Sequence, residues 1–333
     1  MSKILILGGA GYVGSVLTSH FLKAKHDVVV IDNFIYDNQN TVSPYIGDPN
    51  YRIVQGDFSD TNLLDKEAQG ADYVLILAGL VGDPITKKYP KTSQKINDIN
   101  IKKCIDYFDD KPIEKLVFVS TCSNYGLISE GELADEEFEL NPLSLYAKAK
   151  VSNEQYVLDK EGKVNYSGVI LRFATAFGLS PRMRFDLTIS EFTRELFFGE
   201  TLIVFDEHTW RPYCHVRDFA RLIEIVFNAK KSLVNFEVFN AGGDKNNFTK
   251  KMIVDCIASK IEGAKIEYNQ NDSDPRNYKV NFNKVKTVLG FVPEKSVEDG
   301  IDELIESFNL GLFKDSKTNS EQYGNYKLNY SED

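Results

Sequence analysis

The feature that most constrains the fold is an alternation of short aliphatic runs with helical stretches in the first half of the chain. Lys3–Leu7 (KILIL) and Asp27–Ile31 (DVVVI) carry no polar residue after their first position. A strand with one wet face alternates apolar and polar residues; an unbroken run is covered on both faces, as in a parallel sheet between helical layers. Arg52–Gln55, Asp72–Leu77 and Lys115–Val119 read as further strands, and Gly11–Lys25, Thr61–Ala68 and Thr92–Phe108 as helices. The pattern predicts a doubly wound α/β fold of the Rossmann type.

The rhythm continues through a helix at Val151–Leu158 and a strand at Ser167–Phe173, then loosens. Segments 180–187, 201–206, 215–227 and 236–243 suggest a smaller α+β part. The expected division is a dinucleotide-binding domain over 1–175 and a mainly substrate-binding part over 176–314. Residues from about 208 to 245 are expected to return to the first domain. The polar segment 315–333 lacks periodicity and is expected to be mobile.

Composition narrows the function. The 333 residues carry a net charge of −10, which argues against a nucleic-acid surface or an anionic-membrane surface. The four cysteines show no Cys-x-x-Cys pair and no zinc-like spacing, so free thiols in a reducing cytoplasm and no metal are expected. The first apolar run is strand-length, and the stretch around Tyr73–Val81 is too short to span a bilayer, so neither a leader nor membrane attachment is expected.

The sequence ILILGGAGYVG places Gly8, Gly11 and Gly14 directly after a strand and at the start of a helix. The first permits a tight turn, the second lets backbone approach a pyrophosphate, and the third allows close helix–strand packing. Tyr12 and Val13 lie inside this turn. The second strand ends in Asp32, which can accept hydrogen bonds from both ribose hydroxyls and repel a 2′-phosphate. The residues that follow, Asn33, Phe34 and Ile35, include no Arg, so NAD rather than NADP is expected. Asp57 and Phe58 follow the third strand, where a carboxylate could meet the adenine amino group. Leu77, Ala78 and Gly79 follow the fourth, a small-residue edge for the nicotinamide half.

With these motifs stand "STCSNYG", "YAKAK", "LRFATAFG", "RPYCHVRD" and "DPRNY". In this order the sequence resembles the extended short-chain dehydrogenase/reductases, in their nucleotide-sugar epimerase/dehydratase branch, over roughly Lys3 to Phe308. The resemblance implies a tightly held NAD, a nucleotide-sugar substrate and a homodimer built from the Thr92–Phe108 and Ser144–Leu158 helices. It makes Tyr146 the acid/base that exchanges a proton with a sugar hydroxyl. Lys150, one helical turn later, becomes the ligand of the nicotinamide ribose, its charge lowering the Tyr146 pKa. Thr121 matches a family hydroxyl that shares the reacting proton. Arg211 and Arg276 match family positions that grip phosphates. Arg182 and Arg184, with Ser123 and Thr175, complete the expected substrate site. His215 reads as a structural strand-end residue.

Two departures bear on the reaction. Family 4,6-dehydratases carry Asp–Glu after the Thr, whereas here Cys122–Ser123 follow. Many sugar epimerases have an Asn in the strand-end segment where Thr175 stands. The "SPRMRFDL" loop resembles that of bacterial surface-sugar enzymes, among them a GDP-heptose 4-dehydrogenase. The leading expectation is an NAD-dependent nucleotide-sugar oxidoreductase/epimerase acting at sugar C4 through a 4-keto species, in surface polysaccharide or lipopolysaccharide sugar biosynthesis. A net 4-dehydrogenase, a 4,6-dehydratase and a non-catalytic NAD-sensing protein are the alternatives.

Overall fold

The computed structural model describes residues 1–129, 131–270 and 276–330. Asp274 and Pro275 of the DPRNY motif lie outside the described residues. The first strands are β1 (Lys3–Leu7), β2 (Asp27–Asp32), β3 (Tyr51–Gln55), β4 (Tyr73–Ile76), β5 (Lys115–Thr121) and β6 (Ser167–Phe173). Next come β7 (Thr175–Phe177), β8 (Thr201–Phe205), β9 (Trp210–His215), β10 (Glu237–Ala241), β11 (Asn247–Thr249) and β12 (Lys265–Asn269). Seven strands make the main sheet in the order β10-β6-β5-β4-β1-β2-β3. Every pair in it is parallel. Leu7 lies opposite both Ile31 and Ile76, so the carboxyl ends of the central strands share one edge. The winding reverses between β1 and β4, and a crevice opens outside their carboxyl ends.

Successive residues of a strand face opposite sides of the sheet. Ile4, Ile6, Val28 and Val30 accordingly join one core with Leu17, Phe21 and Phe219. Leu5, Leu7, Val29 and Ile31 join another with Ile101, Cys104 and Phe108. Burial on both faces is the physical reason for the unbroken aliphatic runs.

The helices are α1 (Tyr12–Lys23), α2 (Thr61–Glu67), α3 (Asp83–Lys88), α4 (Pro90–Gln94), α5 (Ile101–Tyr107) and α6 (Leu145–Leu158). They are followed by α7 (Thr188–Phe197), α8 (Val216–Asn228), α9 (Lys231–Val234), α10 (Lys250–Ala258), α11 (Asn283–Leu289) and α12 (Val297–Asn309). The helix expected over Thr92–Phe108 is interrupted: a π-helical turn, Lys95–Asn100, joins α4 to α5. That wider turn sets Asn97 against Leu80, whose N–H donates to Asn97 Oδ1 (2.7 Å) and whose carbonyl accepts from Nδ2 (2.9 Å).

A third core, built on Phe177, Phe185, Ile189, Phe192, Val254, Ile301 and Leu304, holds the smaller part together. β7, β9 and β11 form its three-stranded sheet, and β8 and β12 pair separately. Residues 210–215 thus belong to the smaller sheet. From 216 the chain returns: α8 packs on α1, and β10 takes the edge of the main sheet.

The tail differs from the mobile segment its composition suggests. Phe185 donates its N–H to the Tyr323 carbonyl (2.6 Å), and Asn329 donates from its backbone N to Ile35 O (3.0 Å) and from Nδ2 to Phe34 O (2.9 Å). Ser316, Asn325 and Leu328 are buried. The segment docks through backbone and amide hydrogen bonds, which require no apolar period.

Candidate active site

A cleft of about 510 Å³ opens at the carboxyl edge of the sheet. Of the residues expected to bind NAD, Gly8, Gly11, Tyr12, Val13, Gly14, Asp32, Asn33, Phe58, Leu77, Ala78, Gly79, Tyr146 and Lys150 line it. Asp57 does not: it is exposed beside Phe58, and its Oδ2 accepts from Asn100 Nδ2 (3.2 Å). Thr121, Ser123, Thr175, Arg182, Arg184, Arg211 and Arg276 stand on the same cleft.

The glycine turn is fixed by close approaches. Gly8 has φ +87°, and a Cβ there would fall 2.8 Å from the Ala78 backbone. A Cβ on Gly14 would lie 2.6 Å from the Gly8 carbonyl oxygen. At Gly11 it would meet only Gly8 O, at 3.6 Å, so the start of α1 faces open space where its positive end attracts an anion. Asp32 accepts from the backbone N–H of Ala10 (2.9 Å) and Phe34 (2.8 Å). Burial pushes its carboxyl up, opposed by these two bonds and by Arg182. A carboxylate has about four acceptor positions, so two remain for ribose hydroxyls. The turn, the open helix terminus and Asp32 fit the dinucleotide.

Tyr146, Lys150 and Glu154 fall at i, i+4 and i+8 of α6 and share one face. Ser144 caps the helix, its Oγ accepting from Ala147 N (3.1 Å). Glu154 is the buried anchor. It binds the Arg172 guanidinium through Nε (3.0 Å) and Nη2 (2.8 Å), and accepts from Asn124 Nδ2 (2.7 Å) and from Ser120 Oγ. This network pins α6 to β5 and β6. Lys150 Nζ donates to Val119 O (2.7 Å) and lies 5.8 Å from the centre of the Tyr146 ring. Burial pushes Lys150 down to about 8, with Glu154 opposing. Burial pushes the Tyr146 phenol well up; Arg184 opposes this, while Asp83 and Tyr278 add to it. Arg184 is thus a nearby cation that favours the phenolate.

Thr121 ends β5 and caps the next turn, its Oγ1 accepting from Ser123 N (3.1 Å). The cap uses one lone pair and leaves the hydroxyl proton to be donated. Cys122 turns into the sheet, 1 % exposed, with its Sγ donating to Arg172 O (3.1 Å). Ser123 faces the cleft and shares a hydrogen bond with Tyr278 OH (3.1 Å).

The opposite wall is rich in arginine. Arg184 makes a forked pair with Asp186, from Nε (2.9 Å) and Nη2 (2.6 Å), which holds the Asp186 carboxyl low against its burial. Arg182 stacks on Tyr36, 4.7 Å from the ring centre, and burial and Arg184 push it down to about 10. Arg276 pairs with Asp83 (2.9 Å). Arg211 lies over Tyr278, 4.9 Å from the ring centre, and donates from Nη1 to Trp210 O (2.8 Å) and to Arg276 O. A guanidinium in this position suits an anionic oxygen.

The sequence reading missed several wall residues. Tyr278 was present in DPRNY but overshadowed by its Arg. Asn97, itself outside the lining, braces the wall residue Leu80 through a π turn that leaves no short periodic signal. Asn325 and Tyr326 come from the tail. His215 caps α8 through Nδ1, accepting from Arg217 N (3.1 Å), and pairs with Glu303 (2.9 Å).

Residues 4–242 match the NAD dependent epimerase/dehydratase family, and the chain belongs to that family. NAD is accordingly its cofactor, and nucleotide-sugar chemistry its class. The chain is 26% identical over 313 residues to the low-salt glycan biosynthesis protein Agl12 of Haloferax volcanii, covering 92% of this chain and 98% of the relative. It is 26% identical to a dTDP-glucose 4,6-dehydratase of Streptomyces niveus, covering 91% and 92%. The fold matches a UDP-glucuronic acid 4-epimerase from Bacillus cereus, solved with UDP-glucuronic acid and NAD, at a TM-score of 0.80 and 23% identity, over 92% of this chain and 99% of that one. Among the described residues no helix is long and apolar enough to cross a membrane.

Proposed function

We propose that this chain is an NAD-dependent nucleotide-sugar epimerase that acts at sugar C4 through a 4-keto species, in the cytoplasm. The observation that carries the reading is the convergence of Tyr146, Lys150 and Thr121 on one cleft with the glycine turn, with no acid pair after Thr121. Bound NAD supplies a hydride acceptor that also returns the hydride. Tyr146 takes the proton of the C4 hydroxyl as the C4–H bond gives up its hydride, and hands a proton back when the ketone is reduced. Thr121 holds the reacting oxygen with its hydroxyl proton. Lys150 fixes the nicotinamide ribose, and Arg184 supports the phenolate electrostatically.

Arg211, with Ser123 and Tyr278 beneath it, takes a phosphate of the substrate diphosphate; Arg276, Thr175 and Arg182 complete that wall. Elimination of water needs an acid to protonate the leaving hydroxyl. Asp32, Asp83 and Asp186 are the carboxylates among the described cleft residues, and backbone N–H groups, Arg276 and Arg184 engage them in turn. Burial raises the Cys122 thiol far above neutral pH, which disfavours its use as an ionised base. These points support epimerisation or net 4-dehydrogenation over 4,6-dehydration. The likeness to a glycan biosynthesis protein supports a role in surface polysaccharide or lipopolysaccharide sugar supply. Two copies pair through the α4–α5 and α6 surfaces, where Ile99 and Leu145 expose apolar side chains.

The test is a screen of nucleotide sugars with product masses read directly. An epimer keeps the substrate mass, and a net dehydrogenation product is lighter by two hydrogens. A product lighter by one water overturns the reading.

A further inference from the structure

Four residues of the cleft, Tyr36, Asn38, Asp83 and Asn325, carry a buried oxygen with no hydrogen-bond partner among the described residues, and the Asn325 amide oxygen is the one set between the two ligand sites. Asn325 is 6% exposed, lines the cleft, and is held on two sides. Its backbone N–H donates to Asp186 Oδ2 (3.2 Å), and its Nδ2 donates to Val81 O (2.9 Å). Donation to a carbonyl fixes which end of the amide is nitrogen, so the other end is the oxygen. That Oδ1 is buried and accepts no hydrogen bond. Native proteins pair nearly all buried polar atoms, so an unpaired one beside a cleft points to a ligand. An amide oxygen repels phosphate oxygens and calls for a donor. Riboses and hexoses offer hydroxyl donors.

The surroundings place this acceptor between the two ligand sites. Gly324 accepts from Arg182 Nη2 (3.2 Å), and Arg182 faces Asp32 at the end of β2. Asn329 is bonded to Phe34 and Ile35, just beyond Asp32. Asp186, on the other side, pairs with Arg184 of the substrate wall. Residues 323–329 therefore run along the outer side of the cleft, beyond the residues matched to the family.

We propose that Asn325 is a ligand-binding residue: its Oδ1 accepts a hydrogen bond from a hydroxyl of the bound dinucleotide or nucleotide sugar. The nucleotide-sugar alternative rests on the function proposed above; the dinucleotide alternative does not.

The test titrates NAD, and separately UDP-glucose, dTDP-glucose and GDP-mannose, against the native protein, Asn325→Ala and Asn329→Ala by calorimetry. Asn329→Ala loosens the same segment without touching the cleft, because Nδ2 bonds Phe34 O and Asp37 Oδ1. Asn325→Ala should weaken one ligand by about three- to tenfold, the loss of one uncharged hydrogen bond, with Asn329→Ala near native. Weakened NAD assigns the hydroxyl to a dinucleotide ribose; a weakened nucleotide sugar assigns it to the substrate. Unchanged affinities in Asn325→Ala, or an equal loss in Asn329→Ala, overturn the proposal. Amide exchange across 323–329 in the native protein gives a reading independent of any variant's folding. It should slow with the ligand that Asn325 contacts, and unchanged exchange with every probe contradicts the contact. If no nucleotide sugar binds the native protein, the function proposed above falls while the NAD titration still decides the role of Asn325.

Discussion

The wall proposed for the cofactor and the wall proposed for the substrate are held by different forces. On the cofactor side, backbone approaches backbone: Gly8 sits against Ala78, Gly14 against Gly8, and Asp32 is clasped by two N–H groups. Strands in parallel register, buried on both faces, fix those positions. On the substrate side, side chains hold side chains: Arg184 with Asp186, Arg276 with Asp83, Arg182 on Tyr36, Arg211 on Tyr278. These come from segments scattered between residues 36 and 278. A wall made of backbone tolerates few sequences and keeps one ligand. A wall made of paired side chains can be altered one pair at a time, which suits a family whose members take different sugars.

The largest effect should come from the element both walls share. Arg172→Ala leaves Glu154 as an uncompensated buried charge under α6, and should cost about 3–5 kcal/mol of folding stability. Urea unfolding measures it. A loss below about 1 kcal/mol would mean that α6 is anchored by contacts other than this pair.

Arg211→Ala should affect the substrate wall alone. A charge-assisted bond is worth about 1.5–3 kcal/mol, so substrate affinity should fall at least about tenfold with NAD affinity unchanged. Calorimetry with each ligand separates the two, and a loss confined to NAD would move Arg211 to the other wall. Asp32→Ala is the converse. NAD affinity should fall about tenfold, and discrimination against NADP should shrink. If the native protein binds NADP as tightly as NAD, the role given to Asp32 is wrong.

The contrast between the walls also explains what the sequence disclosed. β1, α1 and β2 were legible because the double burial of Ile4–Leu7 and Val28–Ile31 and the glycine turn are local in the chain. The Tyr146–Lys150 pair was legible because one helical turn links them. The partners of Arg182 and Arg184 were not, since Tyr36 is over a hundred residues away and the forked Asp186 pair has no periodicity. The π turn at Lys95–Asn100 was hidden because six residues do not distinguish a wider helix from an ordinary one. The docked tail was hidden because Tyr323, Asn325 and Asn329 bind through backbone groups and amides, and a polar composition reads as mobility.

The smallest effect concerns α7 of the smaller part. Burial, with Glu195 nearby and Arg194 opposing, pushes Glu191 up to about 7. A carboxyl raised in the folded state contributes stability below about pH 4.3, its unfolded value, and that contribution is lost as pH rises through about 7. Glu191→Gln should therefore flatten the fall in Tm between pH 5 and pH 8, gaining ~2 °C at the upper end. Parallel curves for native and variant in calorimetry would place Glu191 in water.

The central claim is that Tyr146 moves the proton, and Tyr146→Phe tests it most directly. The variant deletes only the hydroxyl and keeps the packing of α6. With the substrate found in the screen, turnover should fall by about 10²–10⁴-fold while NAD and the nucleotide sugar bind as before. Near-native turnover would contradict the account, because the Tyr146–Lys150 pair would then be no part of the chemistry.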